Sequence, residues 1–487
     1  MRRFVSRAVA LSTLVLSGAA VLLTAPGAAA LTIDVSTVSD DYGATPTTCS
    51  LREAIDSAAT DSGFDGCSTG GGADTIRVPA GDYAVTRPGI EDFNMSGDFD
   101  VKGNQPLTIE PAGAAAKVVI DGNGIDRVFH VQDSVPLTLR NVTVTGGQLT
   151  MIDDGGGILN GSSELLSLEG TTVRDSSATV AGGGIASYSG LSIVNSTISG
   201  NESAQSAGGI YLPGAATATI RSSTIADNTA DSNADGNGDG GGFAGGMVSS
   251  VSFHNVINAL NRDLSPNPGD QSPDCSSGPF FFPRFTLSSQ PMGAGTCLVG
   301  FGHPGNQVAA DPGISPLAEN GGQTPTHALL DTSLAIAAGG TVAPDQCPPT
   351  DQTGRSRPAG SCDIGAVQFV APSKEAKLII KRVLPNNKKV SRGGKTKIRV
   401  LVRNKGDAPA LKVRVCVKLK SKKTRKALKV KGKSCRTVGK LKAGSSKKPK
   451  FKLKARPKAK RASYRAVAKA RAKDLPARSG GFKVRVR

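Results

Sequence analysis

Oxygen-bearing side chains occupy alternate positions in the segment DSNADGNGDGG, which begins at residue 231. The side chains are those of Asp231, Asn233, Asp235, Asn237 and Asp239. Calcium loops place oxygen ligands at alternate positions and Gly at the sixth, here Gly236, so the pattern predicts a calcium site. The twelfth position is Gly242, where such loops have a bidentate Glu. A polar surface loop explains the same residues, and both interpretations stay open.

Asp175 and Asp227 are the candidate catalytic residues. They follow equivalent apolar stretches of a repeated unit, two copies apart, and the spacing of β-strands would separate them by about 9.6 Å. Inverting glycosidases use two carboxylates at nearly this separation, so the pair is compatible with a polysaccharide hydrolase. Gly200 replaces the acid in the intervening copy. Because Asp also favours turns that follow strands, a role in chain reversal is the alternative.

The repeated unit extends from Pro136 to Asn261. Its copies read LTLRNVTVTG, LSLEGTTVRD, LSIVNSTISG, ATIRSSTIAD and VSFHNVINAL, and glycine-rich phrases such as GGGI alternate with them. The period of 25 to 33 residues is typical of a solenoid, whose coils stack equivalent residues into columns. A β-sandwich would instead need a turn about every 8 to 12 residues. We therefore predict a right-handed parallel β-helix of the pectin lyase-like type for residues 81–370.

Equivalent positions of the copies predict what each column does. The inward aliphatic column consists of Leu139, Leu168, Ile193 and Ile220. The bend that follows carries Asn141, Asn195 and Asn255. Gly170 and Ser222 interrupt this second column, so we expect a partial ladder of stacked amides. The glycine phrases supply positive φ at another corner, and Arg140 should face Glu169 across adjacent coils.

The stretch TTCSLREAI is the most helix-like segment near the start of the chain. Ser50 can cap a first turn through its hydroxyl, and Glu53 can reach back to the Ser50 amide, which is the capping-box arrangement. The apolar face of this helix consists of Leu51, Ile55 and Ala58. The first coil of a solenoid exposes apolar core and strand edges. We therefore expect residues 31–80 to form an N-terminal cap.

Eight cysteines fall into four couples that are close in sequence. The couples are Cys49 and Cys67, Cys275 and Cys297, Cys347 and Cys362, and Cys416 and Cys435. In an exported chain they predict four disulfides, although the thiols allow many other connectivities. A zinc site is the competing interpretation, but no CxxC motif occurs and the chain has only 4 histidines.

The first thirty residues have the composition of a signal peptide. Three arginines precede a long apolar run, and three alanines ending at Ala30 offer a cleavage site. We expect residues 1–30 to be removed on export. An uncleaved membrane anchor is the alternative, because the apolar run is long for a signal peptide and short for a span.

Longer motifs at both ends of the repeats resemble known families. CSLREAI, followed by DTIRVPAGDYAVT at residues 74–86, resembles the CSLREA-type N-terminal region of exported bacterial β-helix proteins. The stretches ADPGISPLAENGGQTPTHALLDTSLAIAAG and CPPTDQTGRSRPAGSCDIGAVQ, within residues 310–368, resemble the choice-of-anchor Q region. The resemblance covers about residues 31–369 and implies a secreted or cell-surface bacterial protein. It brings no established catalytic residues.

The chain departs from this family pattern near its end. Ala337 stands where the family has Asp, Thr353 where it has Arg, and Val367-Gln368 where it has Phe-Glu. The resemblance then implies that a structural ion pair is missing, which leaves Asp351, Arg357 and Asp363 to orient the final coil. His303 and His327 lie here without a recognisable nucleophile motif, so we expect them to form interior or turn hydrogen bonds.

The charge of the chain changes sign near Pro372. Residues 371–487 contain 43 Lys and Arg against 3 acids, a net charge of +40, whereas the preceding residues carry −20. Such a change marks a domain boundary. Apolar residues alternate with Lys or Arg in this tail, which predicts about seven strands in a basic immunoglobulin-like β-sandwich. VRNKGDAPALKVRV, at residues 402–415, resembles the CARDB-type and DUF11-type adhesion modules.

The charge of this tail exceeds what solubility requires, so it predicts polyanionic partners. These are anionic cell-wall polymers or acidic glycans, with anionic lipid headgroups as a further candidate. The tail is rich in Lys and poor in aromatics, which does not favour specific nucleic-acid recognition. Calcium is the one predicted cofactor.

These features predict an exported cell-surface binding, adhesion or scaffold protein that displays a β-helix. The cationic module would associate with anionic polymers of the envelope. A polysaccharide lyase or glycoside hydrolase on a β-helix scaffold is the alternative, and it rests on analogy of fold.

Overall fold

The computed structural model describes residues 30–487, except 270, 277–279, 292–296, 298–303, 344, 372–375, 386–387, 407 and 474. The predicted signal peptide and His303 therefore lie outside the described residues, apart from Ala30. The chain divides into two compact units, Met1–Val370 (unit 1) and Ala371–Arg487 (unit 2). The helices in the described residues are α1, Leu51–Thr60, and α2, Lys422–Ala427, and neither could span a bilayer. The remaining regular structure is strand, which confirms the all-β prediction.

The strands of unit 1 are short. They are β1 Thr32–Asp34, β2 Asp74–Val78, β3 Gly81–Ala84, β4 Phe99–Val101, β5 Leu107–Pro111, β6 Val118–Asp121, β7 Phe129–Val131, β8 Leu137–Arg140, β9 Thr143–Thr145, β10 Ile158–Asn160, β11 Leu166–Glu169, β12 Thr172–Arg174, β13 Ser177–Ala178, β14 Ile185–Ser187, β15 Gly190–Val194, β16 Thr197–Ser199, β17 Glu202–Ser203, β18 Ile210–Leu212, β19 Thr217–Arg221, β20 Thr224–Ala226, β21 Thr229–Ala230, β22 Phe243–Gly245, β23 Ser250–His254, β24 Ile257–Ala259, β25 Arg262–Asp263, β26 Phe280–Arg284, β27 Leu287–Ser288 and β28 Gln307–Val308.

These strands form parallel sheets that the chain visits in a repeating order. Sheet A contains β1, β2, β5, β8, β11, β15, β19, β23 and β26; sheet B contains β3, β6, β9, β12, β16, β20, β24, β27 and β28; sheet C contains β4, β7, β10, β14, β18 and β22. A small sheet D, with β13, β17, β21 and β25, lies between B and C in chain order. We call one passage through sheets A, B and C a coil.

The aliphatic column predicted for the interior is confirmed. Leu139 pairs with Leu168, and Ile193 lies between Leu168 and Ile220 in the same register of sheet A. All four side chains are fully buried. They belong to one continuous apolar cluster that extends from β1 to β26. Apolar residues that recur once per coil therefore stack on one another and form the core of unit 1.

Helix α1 has the predicted capping box. The Ser50 hydroxyl accepts the Glu53 amide, and the Glu53 side chain accepts the Ser50 amide. Leu51 and Ile55 are buried, and α1 contacts β1, β2 and β4. Because β1 and β4 are the terminal strands of sheets A and C, the helix covers this end of unit 1.

The bend after each sheet A strand from β8 to β23 is a left-handed turn. Its φ values are +55° at Asn141, +63° at Gly170, +48° at Asn195, +47° at Ser222 and +59° at Asn255. Asn tolerates this conformation better than most residues. The predicted amide ladder at this bend is wrong, because the Asn195 and Asn255 amides donate to the Thr350 and Asp345 carbonyls, at 2.9 and 2.6 Å.

An asparagine ladder instead forms at the corner after sheet B. Asn201 Nδ2 donates to Asn228 Oδ1, and Asn228 Nδ2 donates to Asn261 Oδ1, both at 2.9 Å. Asn201 and Asn228 are fully buried. The positive φ predicted for the glycine phrases is confirmed, with +72° at Gly155 and +65° at Gly182.

Residues 309–369, the C-terminal segment, run along the outer face of sheet B, and those of them that the structure describes add no strand to sheets A–C. The segment forms hydrogen bonds with a column of threonines on sheet B. These are Thr172, Thr197 and Thr224, which lie in register on β12, β16 and β20. Gln352 Nε2 donates to Thr172 Oγ1 at 2.9 Å, and Thr197 Oγ1 donates to Gln352 Oε1 at 2.6 Å. The expectation that this segment forms a final coil is corrected: it lies across several coils.

The four predicted disulfides are confirmed, and the described residues contain no free cysteine. Each bond joins residues within one local segment, as the proximity argument predicted. Disulfides persist in oxidising compartments. The chain therefore has the covalent chemistry of an extracellular or periplasmic protein.

Unit 2 consists of two five-stranded sheets. Its strands are β29 Leu378–Leu384, β30 Lys389–Val390, β31 Lys395–Asn404, β32 Ala410–Lys418, β33 Leu428–Lys431, β34 Cys435–Leu441, β35 Ser446–Lys447, β36 Lys450–Ala455, β37 Ala462–Ala472 and β38 Leu475–Val486. Sheet E contains β29, β31, β33, β35 and β36, and sheet F contains β30, β32, β34, β37 and β38. All pairings are antiparallel except that of β30 with β38. The unit thus has more strands than the seven predicted.

Candidate functional site

A charged cleft lies at one corner of the first three coils of unit 1. The connections from β3 to β4, β6 to β7 and β9 to β10 enclose it, and its volume is about 340 Å³. Its charged lining consists of Glu91, Asp92, Asp98, Asp126, Arg127, His130 and Asp153. Ile90 and Ile152 stand at its rim and are largely exposed. Ligand sites are concave and place polar groups so that they converge on the bound molecule, so the cleft is a candidate ligand site.

Arg127 forms the floor of this cleft. Its side chain is 9% exposed, and its guanidinium contacts three groups that belong to two other connections. Nε lies 2.9 Å from Asp98 Oδ2, Nη1 donates to the Asp154 carbonyl at 2.9 Å, and Nη2 pairs with the Asp153 carboxylate. The arginine thus ties together the connections that build the cleft.

Two carboxyl groups in the cleft bind protons more tightly than usual. Burial and the charge of Asp100 raise the pKa of Asp98 well above its ordinary value, although Arg127 opposes the shift. Burial also raises the pKa of Asp126. A carboxyl group whose pKa is raised can take up or release a proton near a bound ligand.

Asp175 and Asp227 lie in one column, as predicted, but outside this cleft. Their φ values are +50° and +60°, and that of Gly200 between them is +70°. Asp175 is exposed and pairs with the adjacent Arg174, while Asp227 is half-buried. Each residue therefore forms the same left-handed turn, which the alternative interpretation described.

The predicted calcium loop is held by its own backbone. Asp231 is fully buried and accepts the amides of Asp235 and Gly236 at 3.0 and 2.9 Å. Asp235 accepts the Asn237 amide at 2.8 Å and the Asn233 side-chain amide at 2.9 Å. The backbone hydrogen bond from Asn237 lowers the pKa of Asp235. These oxygens already have partners within the loop.

Asp239, the last predicted calcium ligand, forms a hydrogen bond with a residue outside the loop. Its amide donates to Ser206 Oγ at 3.2 Å. Three potential acidic or histidine ligands converge within the described residues only at Asp92, Asp100 and His130. Calcium at the Asp231 loop stays a prediction.

A second groove lies between the left-handed bends and the C-terminal segment. Its volume is about 730 Å³, and Arg140, Asn141, Glu169 and Asn195 form part of its wall. The predicted pair is confirmed, since Arg140 Nε donates to Glu169 Oε2 at 2.8 Å. Arg140 Nη1 also donates to Glu110 at 2.7 Å. The guanidinium is therefore neutralised by two acids.

The residues singled out in the C-terminal segment hold that segment together. Asp351 accepts the amide of Thr353 at 2.9 Å, and Asp363 accepts the amide of Ala337 at 2.6 Å. Arg357 donates to the Gly365 carbonyl at 2.8 Å. The side chains of Asp351, Asp363 and Arg357 thus form hydrogen bonds with backbone groups of the segment.

His327 has the interior role that the sequence predicted. The ring is buried, its Nε2 lies 2.9 Å from Ser199 Oγ, and its Nδ1 lies 2.8 Å from the Ser315 carbonyl oxygen. Burial lowers the pKa of His327, partly offset by Asp227. The histidine therefore joins sheet B to the C-terminal segment.

Unit 2 presents a set of cations on one face of sheet E, which we call the lysine face. It consists of Lys395, Lys397, Arg399, Lys429, Lys431, Lys450, Lys452 and Lys454. The intervening residues, such as Ile398, Phe451 and Leu453, are buried on the other face. The three acids of unit 2 lie outside the described residues, so every charged residue described there is Lys or Arg.

The cations of this face lie directly opposite one another across the strands. Lys452 pairs in register with Lys397 on β31 and with Lys431 on β33. Lys454 likewise lies opposite Lys395. The nearby Lys395 and then the charges of Lys454 and Lys452 lower the pKa of Lys431. Like charges opposite each other destabilise a sheet, so repulsion across the lysine face opposes the pairing of its own strands.

Sequence reasoning missed the cleft residues. Asp98, Arg127 and His130 precede the first copy recognised as a repeat, and their partners are distant in sequence. The acid-rich stretch EDFNMSGDFD, at residues 91–100, was the available signal.

Comparisons with known proteins give no family. No family model matches the chain, and no curated protein matches it. Among solved structures, part of an Escherichia coli alpha-2-macroglobulin is 17% identical, over 24% of this chain and 17% of that one, with a TM-score of 0.20. The CARDB domain of a Pyrococcus furiosus protein, in complex with di-metal ions, is 16% identical over 24% of this chain and 97% of that one, with a TM-score of 0.17. Structural similarities at these scores do not establish a relationship, and the CSLREA, choice-of-anchor and CARDB resemblances stay predictions.

Proposed function

We propose that this chain is an exported bacterial surface protein that binds anionic envelope polymers through unit 2 and displays unit 1 as a binding or adhesion scaffold. The lysine face is the observation that carries the proposal. Its cations repeat about every 6.5–7 Å along a strand and about 4.8 Å between strands. A linear polymer with regularly spaced negative charges can neutralise several of them at once.

The ligand is an anionic cell-wall polymer or acidic glycan, with anionic lipid headgroups as the second choice. Nucleic-acid recognition by stacking is disfavoured, because the aromatic residues of unit 2, Phe451, Tyr464 and Phe482, are all buried. Single-stranded nucleic acids are bound by exposed aromatic side chains.

The fold of unit 1 that agrees best with this role is a right-handed parallel β-helix of the pectin lyase-like type. The repeated A–B–C order and the parallel register of equivalent residues support it. The right hand follows from the strong preference of parallel crossover connections. For unit 2, two sheets of largely antiparallel strands support an immunoglobulin-like sandwich.

Binding to purified cell walls tests the polymer proposal. The full chain should bind, and retention should fall steeply as salt screens the charges. A variant with Lys397, Lys431 and Lys452 all replaced by Gln should lose most binding. The matched control replaces Lys418, Lys469 and Lys483 of sheet F, so it removes the same charge. Equal loss in both variants would contradict a role for the lysine face.

A polysaccharide lyase or glycoside hydrolase is the second candidate, and the cleft is the observation that favours it. Asp98 and Arg127 offer a proton donor and a cation within a concave site. Activity on a panel of polyuronates and neutral glycans should then disappear in Asp98→Asn. It should persist in the double variant Asp175→Asn, Asp227→Asn. Inactivity of the wild-type chain on the whole panel would remove this candidate.

A further inference from the structure

The side chains of Asp92, Asp100, His130 and Gln132 converge on one point beside the cleft. Asp100 on β4 and His130 on β7 lie opposite each other in register, on the face of sheet C that points away from the core. Gln132 follows β7, and Asp92 belongs to the connection that precedes β4. His130 Nδ1 lies 3.2 Å from Asp92 Oδ1 and 3.4 Å from Asp100 Oδ1.

The donors and acceptors of this cluster are poorly matched to one another. Gln132 Nε2 lies 3.1 Å from Asp92 Oδ1, 2.7 Å from Asp100 Oδ1 and 2.8 Å from His130 Nδ1. An amide nitrogen has two hydrogens for these three neighbours. If His130 Nδ1 carries a proton, Nδ1 and Gln132 Nε2 are two donors in contact. If it carries none, Nδ1 and the Asp92 and Asp100 carboxylate oxygens are three acceptors in contact. Rotating the Gln132 amide by 180° would place its oxygen there as a fourth acceptor.

The hydrogen-bond donors to the Asp100 carboxyl group among the described residues include the Gln132 amide and, at 3.0 Å, the Asn94 backbone N–H, and both are neutral. The Asp100 side chain is fully buried, and buried charges are normally paired or bound to metals. Among the described residues, Asp100 has no ion pair with Lys or Arg, and its one ionisable partner is His130. The other buried aspartates nearby are paired, Asp40 with Arg52 and Asp98 with Arg127.

A second histidine–aspartate pair in unit 1 shows the contrast. His254 Nδ1 lies 2.6 Å from Asp345 Oδ1, and Arg284 Nε lies 2.9 Å from Asp345 Oδ2. There an arginine supplies the positive charge. At Asp100 no described Lys or Arg takes the corresponding place.

We propose that Asp92, Asp100, His130 and the Gln132 carboxamide oxygen bind a divalent transition-metal ion, with Zn²⁺ as the best fit. Ligands about 2.0–2.1 Å from a tetrahedral zinc ion are about 3.3–3.5 Å apart, close to the distances between His130 and the two carboxylates. Imidazole with carboxylate oxygens suits such ions better than it suits Mg²⁺ or Ca²⁺. The ion would tie the connection that carries Asp92, one wall of the cleft, to sheet C.

Calorimetric titration of the untagged full chain with ZnCl₂, after removal of metal by a chelator, tests this site. We expect one Zn²⁺ per chain and a higher thermal unfolding midpoint when it is bound. His130→Gln and Asp92→Asn should each weaken binding at least tenfold. Asp92 is 67% exposed, so its variant tests the ligand without disturbing the core.

His254→Gln is the matched control, because it removes a histidine that also contacts an aspartate. It should bind Zn²⁺ like the wild-type chain. The proposal is overturned if the wild-type chain shows no saturable binding, if Asp92→Asn binds unchanged, or if His254→Gln loses as much affinity as His130→Gln.

Discussion

The two units of this chain use charge in opposite ways. In unit 1 the cations Arg52 and Arg127 are buried against Asp40 and Asp98. In unit 2 the lysine face is exposed to solvent, and the described residues of that unit contain no acid. Charge in unit 1 therefore joins segments of the fold, whereas charge in unit 2 is available to a ligand.

This contrast has an energetic side. A buried ion pair holds a structure together only while both partners are present, because either one alone is an uncompensated charge in a poorly polarisable interior. A face of like charges weakens its own sheet, and counterions or a polyanion reduce the repulsion. The two units should thus respond oppositely when a single charge is removed.

The largest effect is expected from Asp40→Ala. The change leaves the fully buried Arg52 without its carboxylate partner, which should lower the free energy of unfolding of unit 1 by about 3–5 kcal/mol. Urea denaturation followed by tyrosine fluorescence measures it, because four of the five tyrosines lie in unit 1.

Arg77→Ala is the control for this experiment. Arg77 pairs with Asp34 across β1 and β2, but both side chains are about half exposed, at 46% and 60%. Solvent screens such a pair, so its loss should change the stability of unit 1 much less than the loss of Asp40. Similar losses in the two variants would break the distinction between buried and exposed charge in unit 1.

A smaller loss is expected from Asn228→Ala. Asn228 Oδ1 accepts both the amide and the side chain of Asn201, at 3.1 and 2.9 Å. Removing it leaves two buried donors unpaired, which should cost about 2–4 kcal/mol in urea denaturation. Asn233→Ala, in the exposed part of the Asp231 loop, should change stability by less than about 0.5 kcal/mol. If Asn228→Ala lowered the free energy of unfolding no more than Asn233→Ala, the ladder would contribute nothing to the stability of unit 1.

This ladder also shows what the sequence could and could not predict. The aliphatic column, the capping box and the disulfides follow from local spacing, and all three are confirmed. Asparagine was assigned to the wrong corner, because Asn suits both a left-handed bend and a stacked ladder. Only packing distinguishes them: Asn201 and Asn228 are buried, while Asn195 turns toward the C-terminal segment.

The cleft was beyond sequence reasoning for a related reason. Arg52 donates to the Asp98 carbonyl 46 residues away, and Arg127 meets Asp153 from the next coil. Such pairings depend on how irregular connections fold over one another. Periodicity specifies where a strand stacks but leaves the connections between sheets undetermined. The same limit applies to the C-terminal segment, because no sequence repeat predicts its path along sheet B.

A pH effect of intermediate size is expected from His327. Burial lowers its pKa in the folded chain, so the neutral ring is favoured there. Below about pH 6.5 the unfolded chain binds the proton first, and unit 1 loses stability until the lower folded pKa is passed. The slope is at most about 1.4 kcal/mol per pH unit for one proton. Urea denaturation of the wild-type chain and of His327→Gln from pH 8 to 5 should therefore diverge below pH 6.5, and parallel profiles would refute the assignment.

The smallest effect, and the one of opposite sign, is expected in unit 2. Lys452→Gln removes a cation that lies opposite both Lys397 and Lys431, so it should stabilise unit 2 by about 0.2–1 kcal/mol at low salt. The gain should vanish in 1 M NaCl, where charges are screened within about 3 Å. Lys418→Gln is the control, because Lys418 lies opposite Val467. Calorimetry of the full chain measures both variants. A gain that survives high salt, or that Lys418→Gln shares, would show that repulsion within the lysine face is not its source, and the face would then lose the feature that prepares it for a polyanion.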